Sequence, residues 1–114
     1  MTQPESLEVG TEETAAALSD GSAQVIDVRE PYEREAGRAA GTLHIELGEL
    51  AARAGDLDHE RQVIFVCRSG ARSLMAAQAF ARAGFDARSM AGGLEQWAAE
   101  GRPLEPEGGY VAAH

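Results

Sequence analysis

The order of signals along this chain predicts an α/β domain built on a mainly parallel central sheet. Two observations carry that prediction. Short β-branched runs alternate with Ala-rich helical stretches, and the connections between them are short. At 114 residues the chain holds one domain's worth of core, and it shows no internal repeat, long linker or low-complexity tract.

In order, Leu7 and Val9 suggest a short edge strand. Thr11 reads as an N-cap before Glu12 and Glu13, opening a helix through Ala15–Leu18 that Asp20-Gly21 ends. Gln24-Val25-Ile26-Asp27-Val28 reads as a buried strand, and Pro31 starts a helical turn over Tyr32–Ala36. Gly37 and Gly41 mark loop corners, Thr42–Leu47 a weak extended stretch, and Leu47–Ala54 a short helix. Val63-Ile64-Phe65-Val66 is the strongest strand, with Cys67 at its C-terminal end. Ser73–Ala83 reads as a helix closed by Gly84, Ala87–Met90 as a last strand, and Leu94–Glu100 as a helix after the Gly92-Gly93 turn. These bounds divide the chain into a flexible terminus over 1–6, the domain over 7–104 and a Gly- and Pro-punctuated tail over 105–114 that is expected to be mobile.

Composition removes whole classes of function. All ten basic residues are Arg, so no lysine is present for a Schiff base or for a G-x-x-x-x-G-K-[ST] nucleotide loop. Nineteen acids give a net charge of −9, which argues against gripping a nucleic-acid backbone. One Cys and three scattered His are too few for a zinc cluster, and no disulfide can form within the chain. No metal or cofactor is therefore expected. No apolar run is long enough to span a bilayer, and Met1–Gly10 lacks the basic region of a signal peptide, so the expected location is the cytoplasm. Ala supplies 22 of the apolar positions, which predicts a small core with helices lying close to the sheet.

The average charge hides a split. From Arg61 to Phe85 there are four Arg and no acid, which leaves −13 on the remainder. Inside this window lies Cys67-Arg68-Ser69-Gly70-Ala71-Arg72-Ser73, in the context strand, tight loop, helix start. Ligands of open parallel sheets bind at the carboxyl ends of the strands. A tight loop feeding a helix turns backbone N–H groups inward, making an anion cup. Such donors would favour the thiolate of Cys67 and hold an anionic substrate over it. Gly70 suits a turn that needs a positive φ, and Ser73 is placed to cap the first helical turn. A lone Cys after a strand is most often a small buried hydrophobe, but packing alone gives no reason for a cationic polar loop around it.

Four segments together resemble a single-domain rhodanese, a sulfurtransferase. They are Val25-Ile26-Asp27-Val28-Arg29-Glu30-Pro31-Tyr32-Glu33, the Gly37…Gly41 segment, the Cys67–Ser73 loop and Gly92-Gly93-Leu94-x-x-Trp97. The resemblance implies a parallel five-stranded sheet with helices on both faces. It also implies a ping-pong reaction in which Cys67 takes a sulfane sulfur from thiosulfate or a similar donor as a persulfide. The sulfur then passes to a thiol, cyanide or a sulfur-relay protein. It places Arg68, Ser69, Gly70, Ala71, Arg72 and Ser73 around the persulfide, with Arg68 and Arg72 capturing the donor anion. Asp27 and Arg29 hold the family's Asp-x-Arg position, either as a brace for the loop or as an ordinary turn ion pair, and Glu33 belongs to the same polar corner. Trp97 is expected in the core, and His44, His59 and His114 toward solvent.

Two alternatives accompany that reading. The chain is instead a carrier module loaded by a partner desulfurase, or a phosphatase or arsenate reductase of related fold. The phosphatase loop is one residue longer between Cys and Arg than Arg68-Ser69-Gly70-Ala71, so the shorter cup favours a single added sulfur. Two departures from the family pattern stand at Gly37-Arg38-Ala39, where Gly-His-Ile is frequent, and at Ile45-Glu46, where Ile-Pro is frequent.

Overall fold

The structure is a computed structural model that describes residues 6–114. Apart from Ser6, the terminus expected to be flexible over 1–6 lies outside the described residues. Five parallel strands form one sheet in the order β1-β5-β4-β2-β3: β1 Glu8–Val9, β2 Ala23–Asp27, β3 Leu43–His44, β4 Gln62–Val66 and β5 Ala87–Met90. The helices are α1 Thr11–Asp20, α2 Pro31–Ala36, α3 Ala71–Arg82 and α4 Gly93–Ala99.

Burial on both faces explains why the strands read as apolar runs. Val63 and Phe65 of β4, with Ile26 and Val28, pack under α3 (Ala76, Ala77, Phe80) and the Leu50–Leu57 segment. Ile64 and Val66 face the other way, with Val25 and Met90, against Ala17 of α1 and Leu94 and Trp97 of α4. Ala at the α3 contacts lets that helix approach the sheet closely. Trp97 is core, as expected, with its indole N–H donating to Pro103 O at 2.9 Å.

Four local readings are corrected. Helix α1 is capped by Gly10, not Thr11, and Glu13 accepts the Gly10 N–H. Thr11 is instead the first helical residue, its hydroxyl bonded to Glu100. Helix α3 begins at Ala71, two residues before the expected start, so Ser73 lies inside it rather than at its cap. The helix expected over Leu47–Ala54 is two separate 3₁₀ turns, Leu47–Glu49 and Ala54–Asp56. Its Ala and Leu residues carry helix propensity, but Gly48 falls in its first turn and so short a span does not sustain a helix. The segment after Pro103 is held rather than loose. Arg38 and Glu105 exchange backbone hydrogen bonds of 2.9 and 2.8 Å, and the Tyr110 N–H donates to Ala36 O at 3.0 Å.

The chain leaves β2 toward β3 on one side of the sheet and leaves β4 through α3 toward β5 on the other. The adjacent carboxyl ends of β2 and β4 therefore form the topological switch point, where open sheets of this class leave a crevice. Cys67 follows β4 directly at that point.

Candidate functional site

The loop after β4 closes around the sulfur of Cys67, which has no exposed surface. Two backbone N–H groups donate to Sγ, Gly70 at 3.1 Å and Ser73 at 3.4 Å, and the thiol lies 3.4 Å from Ser73 Oγ as acceptor. Gly70 turns the chain with φ +104°, a conformation that L side chains rarely adopt, and this aims its N–H inward. Ser73 links the cup to β5, its hydroxyl 3.2 Å from Gly70 O and 2.7 Å from Ser89 Oγ. Loop donors and the N-terminus of α3 thus converge on one sulfur, an arrangement able to hold negative charge there.

The opposite wall of the loop is carried by α4. Leu94 and Glu95 donate their N–H groups to Cys67 O (2.8 Å) and Arg68 O (2.9 Å). This contact needs Gly93, since a Cβ there would stand 2.4 Å from Arg68 O and 2.6 Å from Cys67 O. The Gly92-Gly93 turn therefore fixes the back of the cup.

The two loop arginines are not free. Arg72 makes a two-pronged bond to Glu33 of α2 at 2.8 and 2.9 Å, and Glu33 is fully buried. Burial alone would raise the Glu33 carboxyl. Its bonds from Arg72 and from the Glu30 N–H outweigh that and hold it below the usual carboxylate range. The same hydrogen bonds push the Arg72 guanidinium upward. Arg68 pairs with Glu95 at 3.1 Å near the surface, its Nε buried without a hydrogen-bond partner among the described residues. The window from Arg61 to Phe85 contains no acid, yet the fold supplies one to each arginine of the cup. Ser69 and Ala71 complete the loop without a side-chain bond to the sulfur.

Asp27 and Arg29 are both fully buried at the end of β2 and bonded through Arg29 Nε and Nη2 at 2.8–3.2 Å. Arg29 Nη2 also reaches Gly37 O at 2.8 Å, and Arg34 bonds Asp27 at 3.2 Å and Thr42 at 2.9 Å. This lattice ties β2 to both ends of the 37–42 corner, and among the described residues none of its side chains hydrogen-bonds to the Cys67–Ser73 loop. The neighbouring acid that does reach the loop is Glu33 of α2. His44, expected toward solvent, is half-buried with Nε2 2.7 Å from Arg29 O. His59 is exposed and stacks on Phe85, and His114 is exposed beside Glu30.

Ser89, Glu95 and the tie between Glu33 and Arg72 carry no local signal of their role in the sequence. The one available hint was a Ser between Arg88 and Met90 in the last strand. Beside the cup, Val28, Glu30, Glu46, Leu47, Arg72 and Met75 line a cavity of about 360 Å³, with Gly48 and His114 at its edge.

Residues 10–100 match the family described as the rhodanese-like domain. The chain is 35% identical over 86 residues to thiosulfate sulfurtransferase GlpE of Pseudomonas aeruginosa, covering 75% of this chain and 78% of that protein. It is 42% identical over 67 residues to the Bacillus subtilis protein named "Putative sulfur carrier protein YrkF". That match covers 59% of this chain, which spans only 36% of the longer relative. Among solved structures, a rhodanese-related protein from Thermoplasma volcanium superposes with a TM-score of 0.78 at 26% identity. The superposition covers 85% of this chain and 95% of that one.

Proposed function

Because the chain belongs to the rhodanese-like domain family, we propose that it transfers sulfane sulfur through a persulfide on Cys67. The observation that carries this reading is the convergence of the Gly70 and Ser73 N–H groups on Sγ, within a loop closed behind by the α4 N-terminus. In the first half-reaction the Cys67 thiolate attacks the outer sulfur of thiosulfate or a similar donor. The donor's S–S bond breaks, sulfite leaves with the bonding pair, and a Cys67 persulfide remains. The two N–H groups that face Sγ hold the negative charge on sulfur. In the second half-reaction a thiol or cyanide attacks the outer sulfur and Cys67 leaves as thiolate, which completes a cycle that one Cys suffices to run. Arg68, Ser69, Gly70, Ala71, Arg72 and Ser73 form the cup. Asp27 and Arg29 shape the neighbouring corner from outside it.

A second reading, a carrier loaded by a partner protein, is favoured by one observation. Arg68 and Arg72 already hold carboxylate partners, which weakens their pull on a free anion. Intact mass after incubation with a sulfane donor tests both. One added sulfur, about 32 Da, is expected on the wild type and not on Cys67→Ser. No gain with any small donor or persulfide overturns sulfur transfer at Cys67. Sustained phosphate release from an aryl phosphate, abolished by Cys67→Ser, would put phosphatase chemistry in its place.

A further inference from the structure

The four arginines of the acid-free window divide by position. Arg61 precedes β4 and donates to Gly21 O at 2.7 Å, and Arg82 ends α3, so both lie at the end of β4 away from Cys67. Among the described residues neither has a carboxylate partner within 4 Å, while the two at the cup each have one. The cations free to attract an anion are thus at the wrong end of the strand. Around the cup the groove adds Glu30 and Glu46. Glu46 has no cation within 4 Å among the described residues, and Glu30 faces only the His114 imidazole at 2.9 Å. Arg68 and Arg72 against Glu33, Glu95, Glu30 and Glu46 leave the mouth at −2 with His114 neutral. Val28, Leu47 and Met75 supply the apolar part of the groove's lining, and Met75 is 60% exposed.

We propose that this groove receives a cysteine-bearing polypeptide segment with basic and apolar side chains beside its thiol, and that a persulfide on this segment is the preferred sulfur donor. The inference rests on the persulfide reading of Cys67 and names its partner. Charge complementarity argues for the basic residues, and the exposed Met75 with Leu47 for the apolar ones. Arg72 belongs both to the groove lining and to the Cys67–Ser73 loop, so a segment seated in the groove lies against the loop that holds the sulfur. The step balances without a further reactant. The Cys67 thiolate attacks the outer sulfur of the segment's persulfide, the S–S bond of the donor breaks, and the segment leaves as thiolate and takes up a proton. Sulfane sulfur moves at unchanged oxidation level. Thiosulfate, a dianion, remains a chemically competent donor but approaches against a negative mouth.

The test compares loading rates by quenched intact-mass measurement. The probes are thiosulfate and two synthetic peptide persulfides, with Cys between Lys-Leu or between Glu-Leu neighbours. At low salt the lysine peptide is expected to load Cys67 about tenfold faster than the glutamate peptide, and the gap to close as sodium chloride screens it. Thiosulfate loading is expected to speed up about threefold between 10 and 200 mM salt, because screening weakens repulsion. The Glu30→Gln/Glu46→Gln double variant should narrow the peptide gap and flatten the thiosulfate salt response. Equal loading by the two peptides, or thiosulfate loading that slows with salt, overturns the groove proposal while leaving the persulfide intact. Absence of any mass gain from all three donors overturns the persulfide reading and this proposal with it.

Discussion

At the end of β2, Asp27 and Arg29 are fully buried and their charges answer each other through side chains. One strand away, at the end of β4, Cys67 is as deeply buried, but what faces it is uncharged: two backbone N–H groups from its own loop and the Ser73 hydroxyl. The charged side chains of that loop are paired elsewhere, with Glu33 and Glu95. Two neighbouring strand ends thus divide the work. The β2 end spends buried charge on locking a corner, an arrangement that becomes costly when half of it is removed. The β4 end depends on loop shape, leaving the sulfur free of any side-chain ion pair.

The largest expected effect tests the first half of that comparison. Arg29→Met leaves the buried Asp27 carboxylate with only the residue-29 backbone N–H and Arg34 as partners, and should cost about 3–5 kcal/mol in urea unfolding. Cys67→Ser, which keeps a small polar atom for the same donors, should cost less than about 1 kcal/mol. Comparable losses in the two variants would mean that the cup is as much a structural lock as the corner.

Next in size is a test of loop shape. Gly93→Ala places a Cβ within 2.6 Å of two loop carbonyls, at a backbone φ of +60°. The loop must move, and loading of Cys67 by sulfane donors should fall about tenfold to a hundredfold. Gly70→Ala meets only strain at φ +104°, with its nearest new contact at an ordinary 3.5 Å, so its rate loss should be the smaller. The opposite ranking would shift control of the cup from its α4 support to the loop's own turn.

How far the sequence revealed these features follows from the range of each interaction. Cys67, Gly70 and Ser73 are close neighbours in the chain, so local pattern is enough to place the Cys67 sulfur in a tight loop with inward-facing N–H donors. The central strands β2 and β4 were also legible, because strands covered on both faces write themselves as apolar runs, whereas the two-residue edge strands β1 and β3 give only weak extended signals. The 3₁₀ turns were misread as a helix because propensity without enough length does not sustain one. The electrostatics of the cup were misjudged for a different reason. Arg72 meets Glu33 across 39 residues and Arg68 meets Glu95 across 27, and a count of charge along the chain is blind to both.

A smaller effect is expected where the two strand ends meet, at Glu33. Glu33→Gln removes one charged partner of Arg72 and should cost about 1.5–3 kcal/mol. The pH dependence distinguishes this from simple loss of packing. The folded state holds the Glu33 carboxyl below its ordinary range, so its contribution is complete above the unfolded carboxyl's titration. That contribution is lost as pH falls through the lower folded value. Wild type and Glu33→Gln should therefore differ most near neutral pH and converge in acid. A difference that stays constant down to acid pH would show that the charge of Glu33 contributes nothing.

The smallest stability effect belongs to Glu95→Gln. Its ion pair with Arg68 is half-exposed, and such pairs contribute about 0–1 kcal/mol. The Glu95 backbone N–H that supports Arg68 O is untouched by the change, so the cup should keep its shape. The kinetic consequence is the informative one, because the substitution frees one guanidinium at the mouth without altering the donors around Sγ. If backbone shape sets the chemistry and side-chain charge sets only access, Glu95→Gln should speed loading by thiosulfate and leave its unfolding curve nearly superimposable on wild type. A fall in thiosulfate loading would instead mean that Arg68 must be held by Glu95 to act. The β4 end would then rely on a side-chain ion pair just as the β2 end does.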